Sequence, residues 1–166
     1  MKKPNFPTSR SFSLEPNASA GSPSALSPYV DNGTDIFTTE RYHDIEFARK
    51  EWTHMWRKTW SLAGLASDIP NTGDYFKYDV GPESFIVVRT GSGDHDISAF
   101  YNVCHHRGNR LVFDDFGSVD KFVCAFHLWS WNIDGSLLNI QDRETFREEV
   151  VCDNPPLTEV RCEIWQ

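Results

Sequence analysis

The sequence predicts a mostly β protein, an antiparallel β-sandwich or small barrel preceded by an amphipathic helix and an N-terminal tail. Three observations carry this. After Gly64 the chain breaks into short β-type runs, turn residues separate most of them, and one stretch of helical apolar period lies ahead of them. With 166 residues, 39% of them hydrophobic and 14% aromatic, the chain has enough apolar side chain for one domain with a real core.

Residues 1–33 form a Ser- and Pro-rich stretch in which Pro4, Pro7, Pro16, Pro23 and Pro28 interrupt any helix and no apolar period develops, so they read as a disordered tail. Residues 34–60 form a leading helical segment. Within it Tyr42, Ile45, Ala48, Trp52, Met55, Trp56 and Trp60 recur at intervals of three and four, with Thr38 or Thr39 available as a cap. The spacing predicts a helix over Thr39–Trp60 whose aromatic stripe packs on the domain core. Residues 61–166 carry the β domain, with strands expected over 75–80, 84–90, 97–103, 121–126, 129–133, 136–140 and 160–165. Gly91-Ser92-Gly93-Asp94 and Asn132-Ile133-Asp134-Gly135 are suited to supplying the positive φ of tight hairpins. The alternating run Val160–Gln166 stops without a turn or cap, as a strand cut part-way would, so the sequence reads as a fragment.

Charge narrows the function classes. Twenty-four acidic against 16 basic residues give a net charge of −8 with no basic stripe, which argues against a nucleic-acid partner. No apolar run approaches the roughly 18 residues of a membrane span, and a soluble cytoplasmic protein is expected. Four cysteines are too few for a disulfide scaffold, and their spacing matters more than their number.

Cys104 and His106 form C-x-H; after 17 intervening residues Cys124 and His127 form C-x-x-H. Each pair sits at the end of an expected strand, where a thiolate and an imidazole on one tight loop can converge on a common centre. Four such ligands suit tetrahedral zinc or a binuclear iron–sulfur cluster. Zinc sites usually pair Cys with Cys and His with His, so one of each per loop favours the cluster. His105 reads as a loop residue and not a ligand; His43, His54 and His95 read as surface or satisfied histidines, and Cys152 and Cys162 as free buried thiols. Arg107 is suited either to an acid on a partner or to pinning its own loop.

Cys104-His105-His106-Arg107-Gly108 and Cys124-Ala125-Phe126-His127-Leu128-Trp129 resemble the two cluster-binding loops of Rieske proteins. Arg107-Gly108, Trp129 and Asp134-Gly135 resemble in particular the α-subunits of Rieske non-haem iron ring-hydroxylating oxygenases. The likeness runs over about residues 34–166, taking in the leading helix, a Trp60–Gly64 strand, the turn Ile69–Asp74 and the approach Tyr101-Asn102-Val103. It implies a Rieske-type fold and a [2Fe-2S] cluster with Cys104 and Cys124 on one iron and His106 and His127 on the other. The imidazoles would bind through Nδ1 and turn their outer nitrogens to the surface, where an electron can pass to a partner.

Residues beside the ligands set further expectations. High-potential Rieske proteins add a disulfide and Ser and Tyr hydroxyl donors to cluster or ligand sulfur; this chain has Asn109 and Phe126, then Trp129 and Trp131, at those places. With the donors missing, a low-potential, oxygenase-like centre is expected. The second loop departs from the oxygenase pattern at Ala125, Phe126 and Leu128, where Pro, Tyr and Gly are common, and a positive φ at Leu128 would be strained.

The oxygenases activate dioxygen at a mononuclear iron held by two His and one carboxylate in a C-terminal catalytic domain. No histidine follows His127, so that site is expected to lie in a missing catalytic domain, in some relatives a neighbouring subunit's. The resemblance thus implies an oxidoreductase component that takes electrons from a ferredoxin or reductase and passes them to that Fe(II). A self-contained Rieske ferredoxin and a zinc-stabilised interaction module are the alternatives.

Overall fold

The computed structural model describes residues 36, 38–151 and 153–165. The expected tail over 1–33 and Cys152 lie outside these residues. Two compact units divide between Thr53 and His54.

The first unit holds most of the leading helical segment, which is shorter and more broken than the apolar period suggests. A 3-10 turn at Glu40–Tyr42 precedes α1 (Ile45–His54), and a second 3-10 turn follows at Trp56–Lys58. The break comes at Asp44, whose Oδ1 accepts the Glu46 N–H at 2.8 Å and so offers the backbone a cap where a helix would otherwise continue. Asp44 therefore takes the role expected of Thr38 or Thr39; Thr39 makes no side-chain cap bond. No residue of α1 is buried, and Ile45 is 62% exposed.

The second unit is two antiparallel sheets, with no closed barrel among the described residues. The larger contains β1 (Asp74–Val80), β2 (Glu83–Arg89), β3 (Ile97–Tyr101), β4 (Phe116–Ser118) and β8 (Glu159–Val160), in the order β4-β1-β2-β3-β8. The smaller is β5 (Lys121–Val123), β6 (Ser130–Asn132) and β7 (Leu137–Asn139), in that order. A short helix α2 (Glu148–Val151) lies between β7 and β8. Alternation along the larger sheet loads both faces. Tyr75, Ile86, Val88 and Phe100 join Phe122, Trp129, Trp131, Cys104 and Cys124 in the main core. Their neighbours Phe76, Val87 and Ala99 point the other way and pack with Ile69.

Several boundaries differ from the sequence-based expectation. β4, too short and Gly-containing to show a pattern, pairs with Asp74–Phe76. No strand forms over Trp60–Gly64, and the last one keeps only Glu159 and Val160, opposite Phe100 and Ala99. Gly135 has the expected positive φ of 82°, but Gly91 and Gly93 do not. Those two glycines serve close approach instead: a Cβ on either would stand 2.4 or 2.8 Å from Asp96 Oδ2, the atom that accepts the Gly93 N–H at 2.8 Å.

Candidate metal centre

The four singled-out side chains come from one loop motif built twice. In the first loop, after β3, Gly108 N–H donates to Cys104 O at 2.9 Å and Cys104 N–H to Asn109 O at 2.7 Å. In the second, joining β5 to β6, Leu128 N–H donates to Cys124 O at 2.9 Å and Cys124 N–H to Trp129 O at 2.8 Å. Each loop turns at a left-handed residue four positions after its cysteine: Gly108 at φ 73° and Leu128 at φ 60°. Leu128 thus adopts the strained conformation that its place in the loop demands.

The first loop is fastened by a residue that spacing alone does not single out. Asn102, 3% exposed, accepts the N–H groups of Leu111 and Val112 on Oδ1 at 2.8 and 3.0 Å. Its Nδ2 donates to Val112 O at 2.8 Å and Ser84 Oγ at 3.2 Å. A single carboxamide thereby does what a strand pair would do, closing the chain on either side of Cys104-x-His106. A lone Asn at a strand end beside a ligand pair is a weak signal, because the same residue type is common in turns.

The motif sorts the four candidate side chains by depth. Cys104 and Cys124 are 2% and 1% exposed, whereas His106 and His127 are half-buried, with ring centroids 4.5 Å apart. The His106 ring stacks on Trp129 at 5.1 Å and 7°, and meets the edge of Phe146 at 5.3 Å and 81°. An open cavity of about 290 Å³ reaches both histidines and is lined further by Phe126, Leu128, Asp142 and Phe146.

Electrostatics distinguish the two thiols. Burial pushes the Cys104 thiol up, opposed by the N–H groups of His106 and Arg107. Burial acts likewise on Cys124, but donors from Phe126, His127, Cys104 and Asn109 together bring it below its ordinary value. Burial first, then the charges of His127 and Arg107, hold His106 down, which favours the neutral ring that a metal requires.

Two buried polar atoms, His106 Nδ1 and Trp129 Nε1, have no hydrogen-bond partner among the described residues. An orphaned imidazole nitrogen inside a protein is costly unless something binds it. Two buried thiols beside two half-buried imidazoles make a donor set that fits a binuclear iron–sulfur group.

The remaining candidates stay apart from this constellation. His105 Nε2 lies 3.1 Å from Thr158 Oγ1, tying the first loop to the approach to β8. His43, His54 and His95 are exposed. Cys162 is free and half-buried, and burial raises its thiol. Arg107 is exposed and forms no ion pair among the described residues.

Residues 59–153 match the family described as the Rieske [2Fe-2S] domain. Biphenyl dioxygenase subunit alpha of Metapseudomonas furukawaii is 31% identical over 131 residues, 79% of this chain and 27% of its own length. The glycine betaine monooxygenase oxygenase subunit of Chromohalobacter salexigens is 38% identical over 97 residues, 58% of this chain and 21% of its own. Among solved structures, a naphthalene 1,2-dioxygenase variant bound to phenanthrene superposes with a TM-score of 0.67 at 32% identity, over 75% of this chain and 28% of that one. The quaternary ammonium Rieske monooxygenase CntA with L-carnitine gives 0.64 at 26% identity, covering 75% and 35%. The chain thus spans about a quarter of the length of the curated relatives it matches. Matched over more than half its length, with both candidate loops in the matched stretch, the chain belongs to the Rieske [2Fe-2S] domain family.

Proposed function

We propose that Cys104 and Cys124 hold one iron of a [2Fe-2S] cluster, that His106 and His127 hold the other through Nδ1, and that the chain relays single electrons. The observation that carries this reading is the repeated loop, which sets two buried sulfurs beside two half-buried imidazoles, one of them with an orphaned Nδ1. When bound, the cluster supplies a one-electron couple in the Rieske range of roughly −150 to +300 mV.

The chain's own residues do the rest. Backbone N–H groups from within each loop donate to its cysteine sulfur, so negative charge there meets fixed dipoles without reorganisation. Trp129 and Phe146 hold the His106 ring in one plane. Main-core side chains keep water from the sulfurs, while the open cavity leaves the imidazole edges accessible for electron exchange.

In the relatives named as dioxygenases and monooxygenases the same domain is part of a longer oxygenase subunit. By that likeness the electron comes from a ferredoxin or reductase and goes to a mononuclear iron held outside these 166 residues, in a catalytic domain of the same or a neighbouring subunit, for oxygenation of an organic substrate. The described residues contain no helix long and apolar enough to cross a membrane, and a cytoplasmic enzyme fits the reading.

Anaerobic purification, iron and sulfide analysis and a low-temperature electron paramagnetic resonance spectrum after dithionite reduction test the cluster. Two irons and two sulfides per chain with a low-average-g signal are expected. A colourless protein holding one zinc after iron–sulfur reconstitution would overturn it.

A further inference from the structure

We propose that Asn109 sets the reduction potential of this centre by donating a side-chain hydrogen bond from the first loop to the cysteine sulfur of the second. The inference rests on the assignment of Cys124 as a cluster ligand and goes beyond it. By the resemblance, Asn109 stands at one of the two places where high-potential Rieske proteins carry a disulfide cysteine. Its carboxamide has two N–H groups, and the structure uses both: Nδ2 donates to Arg110 O at 2.9 Å and to Cys124 Sγ at 3.8 Å. Arg110 O can only accept, so the nitrogen and not the oxygen of the amide must face it. That choice fixes the second N–H on the sulfur. The Asn109 backbone is itself held, because its carbonyl accepts the Cys104 N–H at 2.7 Å.

The result is an asymmetry between two otherwise matching loops. Each sulfur receives backbone donors from two residues of its own loop, but among the described residues only Cys124 receives a carboxamide from across the gap. The tryptophans standing where hydroxyl donors occur in high-potential proteins do not replace it. Trp131 Nε1 donates to Pro155 O at 3.1 Å, and Trp129 Nε1 has no partner among the described residues. Reduction adds one electron and one negative charge to the cluster, with no bond made or broken. An N–H aimed at a ligand sulfur stabilises the reduced form more than the oxidised one and raises the potential. Asn109 thus offsets part of the loss expected from the absent hydroxyls.

Redox titration of the reconstituted 166-residue chain tests this, with iron content and the reduced paramagnetic spectrum as parallel readouts. Asn109→Leu removes the donor at similar volume, and Asn109→Asp keeps the shape while exchanging the donor for a carboxylate. The expected outcome is a full cluster in Asn109→Leu with the one-electron reduction equilibrium lowered about tenfold, a fall of about 59 mV, and a larger fall in Asn109→Asp. Full clusters with unchanged midpoints would overturn the role of Asn109 while leaving the ligand assignment intact. Loss of the cluster from both variants would show that Asn109 builds the loop and does not tune it. A wild-type chain that takes up no cluster, or a Cys124→Ser variant that keeps an unaltered one, would overturn the ligand assignment itself.

Discussion

Leu128 sits at φ 60° in the position that Gly108 occupies at φ 73° in the matching loop. A left-handed backbone costs a side chain with a Cβ about 1–2 kcal/mol, whereas glycine adopts it freely and loses about 0.5–1 kcal/mol of chain entropy instead. The substitutions Leu128→Ala and Leu128→Gly remove the same half-exposed side chain, so lost burial cancels between the two variants and the backbone difference remains. The Leu128→Gly protein should therefore be more stable than the Leu128→Ala protein by about 1 kcal/mol, the reverse of the order at an ordinary position. For a domain of this size that is a gap of roughly 4 °C in Tm. The mirror test is Gly108→Ala, where an added Cβ meets nothing within 4 Å, so only the same backbone cost of about 1 kcal/mol is expected. Scanning calorimetry of the cluster-loaded variants at one fixed scan rate measures all three. A Leu128→Ala protein as stable as the Leu128→Gly protein would refute the argument that this loop stores backbone strain.

Asn102→Ala leaves the buried N–H groups of Leu111 and Val112 unpaired, at about 1–3 kcal/mol each, so a total loss of about 3 kcal/mol and poor cluster uptake are expected in denaturant titration and iron analysis. At Gly135, φ is 82° and a Cβ would stand 2.5 Å from the Phe100 ring, so Gly135→Ala combines strain with overpacking and should cost about 2–4 kcal/mol in the same titration. Acid should weaken the fold in a stated direction. Hydrogen bonds from Ser136 hold the Asp134 carboxyl below its ordinary value, so its contribution is complete above the unfolded pKa of about 3.9 and disappears as pH falls through the folded one. A plot of Tm against pH for Asp134→Asn should run below wild type at neutral pH and meet it in acid; parallel curves would contradict this.

The candidate ligand set is legible in the sequence because metal chemistry restricts residue types and spacing: few reasons other than a shared centre place C-x-H and C-x-x-H at the ends of two strands. Leu128 is legible for a related reason, since a Gly position with a side chain implies a strained turn. The leading helix is not, because apolar period reports where a helix would face and not where it starts. Asp44 sets the start of α1 locally through a bond that periodicity does not register. Gly91 and Gly93 suggest positive φ from their turn-like context, although their service is to admit the Asp96 carboxylate, a contact set by tertiary packing. Asn102 and Asn109 are hidden for the same reason, as each acts through partners 18 or 15 positions away.

The central claim is that two imidazoles and two thiolates share one binuclear cluster. Pulsed electron paramagnetic resonance on the reduced chain, grown with 15N-labelled histidine, tests it most directly. Two strongly coupled histidine nitrogens are expected, falling to one in His106→Cys. A spectrum with no coupled histidine nitrogen, or one that His106→Cys leaves unchanged, would contradict the account.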